Sequence, residues 1–391
     1  MKCVTPMYRE YIEYSPEQKR LMKENNIPQR QRIIPRKDVY KQLCEDPNNI
    51  RSLEDVNNFN KENGNPWRWQ TIPCRNCWAC QLSYSAEWAT RIMYECMLHP
   101  GLNWFITLTY NDDWLPIAEN VKIPEKVWNK KNKVYDTKWH YGENIGLPEQ
   151  NEGTLYINHV EKFIHSLRKH LKEKYNHEGM SYYYCGEYGS ETHRPHYHLI
   201  LMNCPLNPTQ FYDFHLDDRK KLHFKTPEIE YYWGYHKNAK AKEYYPYGMV
   251  DIAEVEWSCA AYVARYCTKK LYSKDIASYA KECKLPEFLR MSRNIGREWY
   301  EEHKDEIYHT DSITMKTVKG KTGAQKPPKA WDRLYEKERP EVMEMIKESR
   351  RMAAERSALL EQELSDYTDL RKLQMKAERL SIISKQLPRE L

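Results

Sequence analysis

The sequence has few of the features that mark membrane, secreted or repeat proteins. No stretch approaches the roughly 20 uninterrupted apolar residues that a membrane-spanning helix needs. The first residues, Met1 to Pro6, lack the apolar block of a secretion signal. No internal repeat or heptad pattern is present. We therefore expect a chain with no membrane partner that stays in the compartment where it is made.

A large excess of one charge is also missing. Sixty-two Lys and Arg against 56 Asp and Glu give a net charge of +6, which does not by itself indicate a nucleic-acid partner. The cations are concentrated locally, because residues 313–333 hold six of them and a single anion. The eleven cysteines are odd in number and follow no regular framework, which favours a reducing cytosol over a disulfide-forming compartment.

The chain is longer than a usual single domain, so we expect one core with appendages. Four regions follow from composition and periodicity: an N-terminal arm of loops and short helices (1–70), a core (71–310), a basic linker (311–330) and a charged helical tail (331–391).

Within the core, the apolar periodicity predicts alternating helices and strands, with little regular structure over 111–150. The expected elements are a helix from Ser83 to Pro100, a strand over 104–110, a helix over 155–175, a hairpin of 180–188 with 194–203, a strand over 249–257 and a helix over 259–271. This order predicts an α+β fold with a central, mainly antiparallel sheet flanked by helices.

Two histidines on the second strand of the hairpin form a candidate metal site. Alternation along a strand puts His196 and His198 on one face, about 7 Å apart at their Cα atoms. A carboxylate would adapt such a pair to Mg²⁺ or Mn²⁺, and Glu187 lies roughly opposite His196 across the hairpin. His193 and Glu191 are rival third ligands. A His-x-His pair alone also occurs as surface decoration on an edge strand.

Two tyrosines on the last core helix form a candidate nucleophile pair. Tyr262 and Tyr266 are four residues apart, so their side chains lie on one side of the helix. Each is followed three residues later by a cation, Arg265 and Lys269 respectively. A phenol has a pKa near 10, and a nearby cation helps it to ionise and can hold a phosphate. The same pattern also fits an amphipathic helix that uses its aromatic residues for packing.

Taken together, these motifs resemble those of the HUH endonucleases, and the finer likeness is to the replication initiators of the microviruses, within the gokushovirus group. The resemblance covers about residues 71–350. The motifs that carry it are Phe105 to Tyr110, Cys185 to Gly189, Arg194 to His198, Tyr262 to Lys270, Met291 to Arg293 and Ile295 to Arg297.

The resemblance implies an HUH/Rep-type fold and a rolling-circle nickase in the cytoplasm of a bacterial host. A Mg²⁺ or Mn²⁺ ion on His196, His198 and Glu187 would polarise a phosphodiester of single-stranded DNA at the phage origin. Tyr262 or Tyr266 would attack, leaving a 5′-phosphotyrosine and a 3′-hydroxyl for a host polymerase. Related initiators carry lysine where this chain has Arg265, and we favour Tyr266 with Lys269 as the first nucleophile.

Strand separation is expected to need a host helicase. Gly320, Lys321 and Thr322 resemble the end of a Walker A loop, but Met315 stands in the place of the first glycine. The sequence therefore predicts no ATP-driven motor in this chain.

Three cysteines at two-residue gaps, Cys74, Cys77 and Cys80, predict a metal thiolate site. A ferredoxin pattern would require a further cysteine where Tyr84 stands, so structural Zn²⁺ is the better interpretation. Zinc needs a fourth ligand. The resemblance includes an N-terminal cysteine, which here is Cys3, and Cys96 and His99 are the alternatives.

The stretch from Tyr231 to Tyr247 mixes aromatic residues with Lys237, Lys240 and Lys242, a combination that suits single-stranded DNA. Two other function classes remain open at the level of sequence. One is a non-catalytic, zinc-bearing DNA-binding protein. The other is a metal-dependent nuclease that forms no covalent intermediate.

Overall fold

The computed structural model describes most of the chain. The described residues are 6–12, 14–34, 53–74, 77–117, 122–129, 134–141, 153–189, 192–236, 243–271, 284–316, 322–363, 375, 378 and 379. For some of these, among them 122–129, 134–141 and 265–271, only the backbone is described.

The helices alternate with strands along the chain. The helices are α1 (Pro16–Glu24), α2 (Leu53–Glu62), α3 (Trp78–Leu98), α4 (Ile157–Tyr175), α5 (Pro227–Tyr232), α6 (Trp257–Leu271), α7 (Arg297–Thr310), α8 (Lys329–Glu338) and α9 (Pro340–Glu363). In the parts of the chain described, none of them is long and apolar enough to cross a membrane.

The strands are mostly short. They are β1 (Met7–Ile12), β2 (Gln31–Ile34), β3 (Trp67–Ile72), β4 (Trp104–Thr109), β5 (Lys122–Asn129), β6 (Val134–Tyr141), β7 (Ser181–Tyr188), β8 (Pro195–Met202), β9 (Tyr212–Leu216), β10 (Leu222–Lys225), β11 (Gly234–Tyr235), β12 (Tyr245–Pro246), β13 (Val250–Glu254), β14 (Phe288–Met291), β15 (Ile313–Lys316) and β16 (Thr322–Gln325).

The chain forms two compact units, of which the first comprises 1–84 and 340–391. In this unit, β1 is the middle strand of an antiparallel sheet with the order β2-β1-β3. Its buried cluster consists of Tyr8, Ile34, Val56 and Trp69. The Trp69 indole N–H donates to Glu10 Oε1 at 2.9 Å, which satisfies a carboxylate that is otherwise buried.

The second unit, 85–339, is built on a seven-stranded sheet with the order β14-β7-β8-β4-β13-β10-β9. All neighbouring strands in it are antiparallel. The expected α+β class with a central antiparallel sheet is therefore confirmed. The hairpin of β7 and β8 lies towards one side of the sheet, and β4 connects it to β13.

Each face of this sheet carries its own core, because side chains alternate along every strand. On one face, α4 packs its apolar stripe of Val160, Phe163, Ile164, Leu167 and Leu171 against the sheet. On the other face, α3 and α6 pack against residues such as Phe105, Cys185 and Ile200. The even-numbered residues of β8, which include His196 and His198, lie on the face of α3 and α6.

The elements expected from the core pattern are present, but several were missed. The arm contains the strands β1, β2 and β3 as well as helices, and the stretch 111–150 contains the β5–β6 hairpin. The expected basic linker includes β15 and β16, which pair with each other. These strands are short or polar and therefore lack the apolar alternation by which a sequence identifies a buried strand.

Candidate active site

The β7–β8 hairpin brings Glu187, His196 and His198 to one point on the sheet. Glu187 is directly opposite His196 in the register, and Cys185 is opposite His198. The Gly189 N–H donates to Arg194 O at 3.0 Å and closes the hairpin. The expected cross-strand position of Glu187 is therefore observed. Of the rival ligands, His193 is an exposed residue in the turn, and Glu191 lies outside the described residues.

The three side chains converge on a single carboxylate oxygen. Glu187 Oε1 lies 2.9 Å from His196 Nε2 and 2.8 Å from His198 Nε2. Adjacent ligands of an octahedral Mg²⁺ or Mn²⁺ ion are separated by about 3 Å, so the donor spacing fits one face of such an octahedron. Glu187 is 2% exposed, and its Oε2 is buried without a hydrogen-bond partner among the described residues. A buried, unsatisfied carboxylate oxygen beside two imidazoles fits a divalent cation.

The imidazoles are oriented by contacts on their other ring nitrogens. His196 Nδ1 lies 3.2 Å from the carbonyl oxygen of Arg194, and His198 Nδ1 lies 3.0 Å from Thr107 Oγ1 on the neighbouring strand β4. Phe105 stacks on the His198 ring with the centroids 5.5 Å apart. Contacts of this kind hold the Nε2 atoms towards a metal and increase the basicity of the ligands. The sequence did not indicate the role of Thr107.

The buried carboxylate and His196 form an ion pair in the metal-free protein. Burial alone raises the pKa of Glu187, but the hydrogen bonds from His196 and His198 outweigh it and hold that pKa at about 2. For His196, burial opposes protonation, yet the hydrogen bond to Glu187 raises its pKa above the ordinary value. Both ring nitrogens of His196 face acceptors, and only the imidazolium form can donate from both.

Metal affinity at this site is expected to fall with pH. Because the pKa of His196 is raised, a divalent ion must displace a proton from it at any pH below that value. We expect the affinity for Mn²⁺ to decrease by about tenfold per pH unit as the pH falls below about 6.5, measured by titration calorimetry. The His193→Ala variant should show the same slope. An affinity that does not change between about pH 5 and pH 8 would contradict this ion pair.

Helix α6 places a tyrosine against the same carboxylate. The Tyr262 hydroxyl donates to Glu187 Oε1 at 3.3 Å, and its ring meets His198 edge-on with the centroids 5.5 Å apart. Its side chain is 5% exposed. Arg265, Tyr266 and Lys269 continue the same helix, but their side chains lie outside the described residues. The structure thus unites Tyr262 with the histidine pair and leaves the position of the other phenol as a prediction.

A second group of metal-ligating side chains is formed by Cys74, Cys77 and Cys80. Their sulfur atoms lie within 4.8 Å of one another, and Cys80 is in the first turn of α3. The Cys77 N–H donates to Cys74 Sγ at 3.2 Å, a contact that stabilises a thiolate. Three sulfurs at this spacing fit Zn²⁺. Cys3 lies outside the described residues, and neither Cys96 nor His99 is grouped with the three thiols.

Zinc content tests the fourth ligand. We expect one tightly bound Zn²⁺ per chain from the cysteine group and loss of it in Cys77→Ser, measured by elemental analysis after gel filtration. Cys3→Ser should weaken retention of this zinc against a chelator, whereas Cys96→Ser should not. Equal retention in Cys3→Ser and the unchanged protein would exclude Cys3.

An exposed aromatic surface lies beyond the end of β4. Trp114 stacks on Tyr235 with centroids 5.3 Å apart, and Tyr245 lies 6.4 Å from both rings. Tyr235 and Tyr245 are exposed, and Lys162 Nζ lies 6.0 Å from the Tyr235 ring. Two of these rings belong to the segment singled out in the sequence, whereas its Trp233 is buried, and its lysines lie outside the described residues. Trp114 comes from a distant part of the chain and was missed.

Comparison with known proteins agrees with these observations. The family model for the replication-associated protein ORF2 matches residues 103–271. The chain is 34% identical over 358 residues to the replication-associated protein ORF2 of Spiroplasma virus 4, covering 88% of this chain and 95% of that protein. It is 26% identical over 271 residues to the replication-associated protein VP4 of Bdellovibrio phage phiMH2K, covering 69% of each. No solved structure matches the chain.

Proposed function

Because the chain belongs to the family of phage replication-associated proteins, we propose that it initiates replication by nicking single-stranded DNA at the phage origin. The observation that supports this chemistry is the convergence of His196, His198 and Tyr262 on the Glu187 carboxylate. A divalent-cation site and a phenol at one point are the two halves of a transesterification reaction.

In this proposal, Glu187, His196 and His198 hold a Mg²⁺ or Mn²⁺ ion, which polarises the scissile phosphate when bound. A phenol of Tyr262 or Tyr266 loses its proton and forms a bond to phosphorus, while the bond from phosphorus to the 3′ oxygen breaks and that oxygen takes up a proton. Arg265 and Lys269 hold the phosphate and favour the phenolate. The products are a 5′-phosphotyrosine and a free 3′-hydroxyl for a host polymerase.

The same residues can reseal the strand. The phosphotyrosine retains the energy of the cleaved bond, so attack by a 3′-hydroxyl rejoins DNA without ATP. With two tyrosines, one holds the first 5′ end while the other cuts the regenerated origin after one round. Unwinding is left to a host helicase, because the chain carries no complete Walker A motif.

A covalent adduct distinguishes this function from its rivals. Incubation with labelled single-stranded origin DNA and Mn²⁺ should give a protein–DNA adduct that survives denaturant. A nuclease without a covalent intermediate would cut the DNA and leave no adduct, and a non-catalytic DNA-binding protein would give neither product. Either of those results would exclude the nicking and joining reaction.

The aromatic surface of Trp114, Tyr235 and Tyr245 is proposed to stack bases of the bound strand, since every base presents a flat π face. We expect Trp114→Ala to weaken binding of single-stranded DNA by about 1–3 kcal/mol, measured by fluorescence anisotropy at fixed salt. Phe214→Ala removes an exposed ring from the edge strand β9 and serves as the matched control. Equal affinities in the two variants would remove this surface from the DNA path.

A further inference from the structure

A second group of two histidines and a carboxylate lies on the same sheet face as the candidate active site. Thr107 on β4 is opposite His198 on one side and Asp251 of β13 on the other. His223 of β10 is opposite Ala253, which shares a face with Asp251, and His215 of β9 is opposite His223. Strand spacing separates His198 from His223 by about 14 Å, or three strands. The second group is therefore distinct from the first.

The free donor atoms of this group point to one place. His215 Nδ1 lies 3.2 Å from the carbonyl oxygen of Asp213, and His223 Nδ1 lies 2.5 Å from Asp251 Oδ2. If these nitrogens carry the protons, the Nε2 lone pairs of both rings remain available. One ligand atom from each of His215, His223 and Asp251 lies within 4.8 Å of the others.

Two of the atoms are buried without satisfaction. His223 Nε2 and Asp251 Oδ1 have no hydrogen-bond partner among the described residues. Their nearest charged neighbours are too far for a hydrogen bond, since Asp217 Oδ2 lies 3.6 Å from His223 Nε2 and His215 Nε2 lies 3.6 Å from Asp251 Oδ1. Leaving a buried polar atom unpaired costs about 1–3 kcal/mol, so two of them in one cluster point to a missing ligand.

The spacing and the chemistry of the donors both fit zinc. Tetrahedral ligands at the usual zinc–nitrogen and zinc–oxygen lengths are about 3.3 Å apart, close to the two separations of 3.6 Å. Two imidazoles with one carboxylate are a common zinc ligand set, and the Asp251 contact to His223 Nδ1 is the outer hydrogen bond that usually orients a ligating histidine.

We propose that His215, His223 and Asp251 bind a Zn²⁺ ion, with Asp217 or water as the fourth ligand. The three residues come from three adjacent strands, so the ion ties the edge strands β9 and β10 to β13. This site is additional to the cysteine group and to the Glu187 site.

Chemical modification of histidine tests the proposal at this site alone. His215 is 51% exposed, and diethyl pyrocarbonate reacts with its free imidazole nitrogen. The full chain, freed of metal with a chelator, is labelled with and without added Zn²⁺, and each histidine is quantified by peptide mass spectrometry. We expect Zn²⁺ to protect His215 by about tenfold or more, while the exposed His193 in the β7–β8 turn is labelled equally in both samples.

Two variants make the result specific. Asp251→Asn keeps the shape of the side chain but removes the anionic ligand, and should raise the zinc concentration for half-protection at least about tenfold. His215→Gln, on the exposed edge strand, should lower the zinc content by one ion per chain. Labelling of His215 that ignores Zn²⁺ would overturn the proposal, as would full protection in Asp251→Asn or an unchanged zinc count in His215→Gln. DNA cleavage is not measured, so these outcomes are independent of the nicking activity.

Discussion

The double variant Tyr262→Phe, Tyr266→Phe is expected to form no covalent adduct with origin DNA while still binding it. Loss of both phenols removes every nucleophile of the proposed reaction, so adduct formation with Mn²⁺ should fall by at least about three orders of magnitude. DNA affinity should change little, because neither substitution removes a charge or a ring face. The adduct is measured on a denaturing gel, and binding by fluorescence anisotropy.

The single variants should differ from one another. Tyr262 is almost fully buried, and its hydroxyl is hydrogen-bonded to Glu187, so that phenol must leave its contact before it can attack. We therefore expect Tyr266→Phe to reduce the first cleavage more than Tyr262→Phe does. Tyr212→Phe, an exposed tyrosine on the edge strand β9, is the control and should be fully active. An adduct that persists in the double variant would exclude both phenols.

Removal of any one of the three proposed metal ligands is expected to abolish cleavage. Glu187→Gln, His196→Ala and His198→Ala should each reduce nicking by about three orders of magnitude or more, because several kcal/mol of charge stabilisation depend on the cation. Mn²⁺ binding, measured by calorimetry, should weaken in parallel. His193→Ala changes an exposed histidine of the same hairpin and should leave both quantities unchanged.

A smaller effect is expected where a residue only positions a ligand. Thr107→Ala removes the hydroxyl that contacts His198 Nδ1, and Mn²⁺ affinity should decrease by about 10- to 100-fold. Thr107→Ser retains a hydroxyl and should stay near the unchanged protein. If the three ligand variants cut DNA at the normal rate, the site formed by Glu187, His196 and His198 is not the catalytic one.

Much of the candidate site was predictable because its main part is local. His196 and His198 are two residues apart on one strand, and a short hairpin connection places Glu187 opposite His196. Alternation and turn length set such a register without any help from the rest of the fold. The helical stripe of α4 was equally clear, since its apolar positions recur with the helical period.

Contacts between distant segments were not predictable. Thr107 reaches His198 only because β4 pairs with β8, and the strands of the N-terminal region join across long stretches of chain. His215 and His223 carry no recognisable spacing relative to Asp251, and Trp114 is remote from Tyr235 and Tyr245 in the sequence. Such groups depend on which strands become neighbours, a choice that side-chain periodicity does not encode.

The amino-acid sequence by itself determined the alternating elements of the core, the α+β class and the local hairpin that presents two imidazoles and a carboxylate. Only the tertiary structure decided that a tyrosine of α6 contacts that carboxylate and that a second histidine group forms on the same sheet face. The physical reason is that hydrogen bonding within a hairpin is set by residues a few positions apart. The order of strands in a sheet is set by burial summed over the whole core.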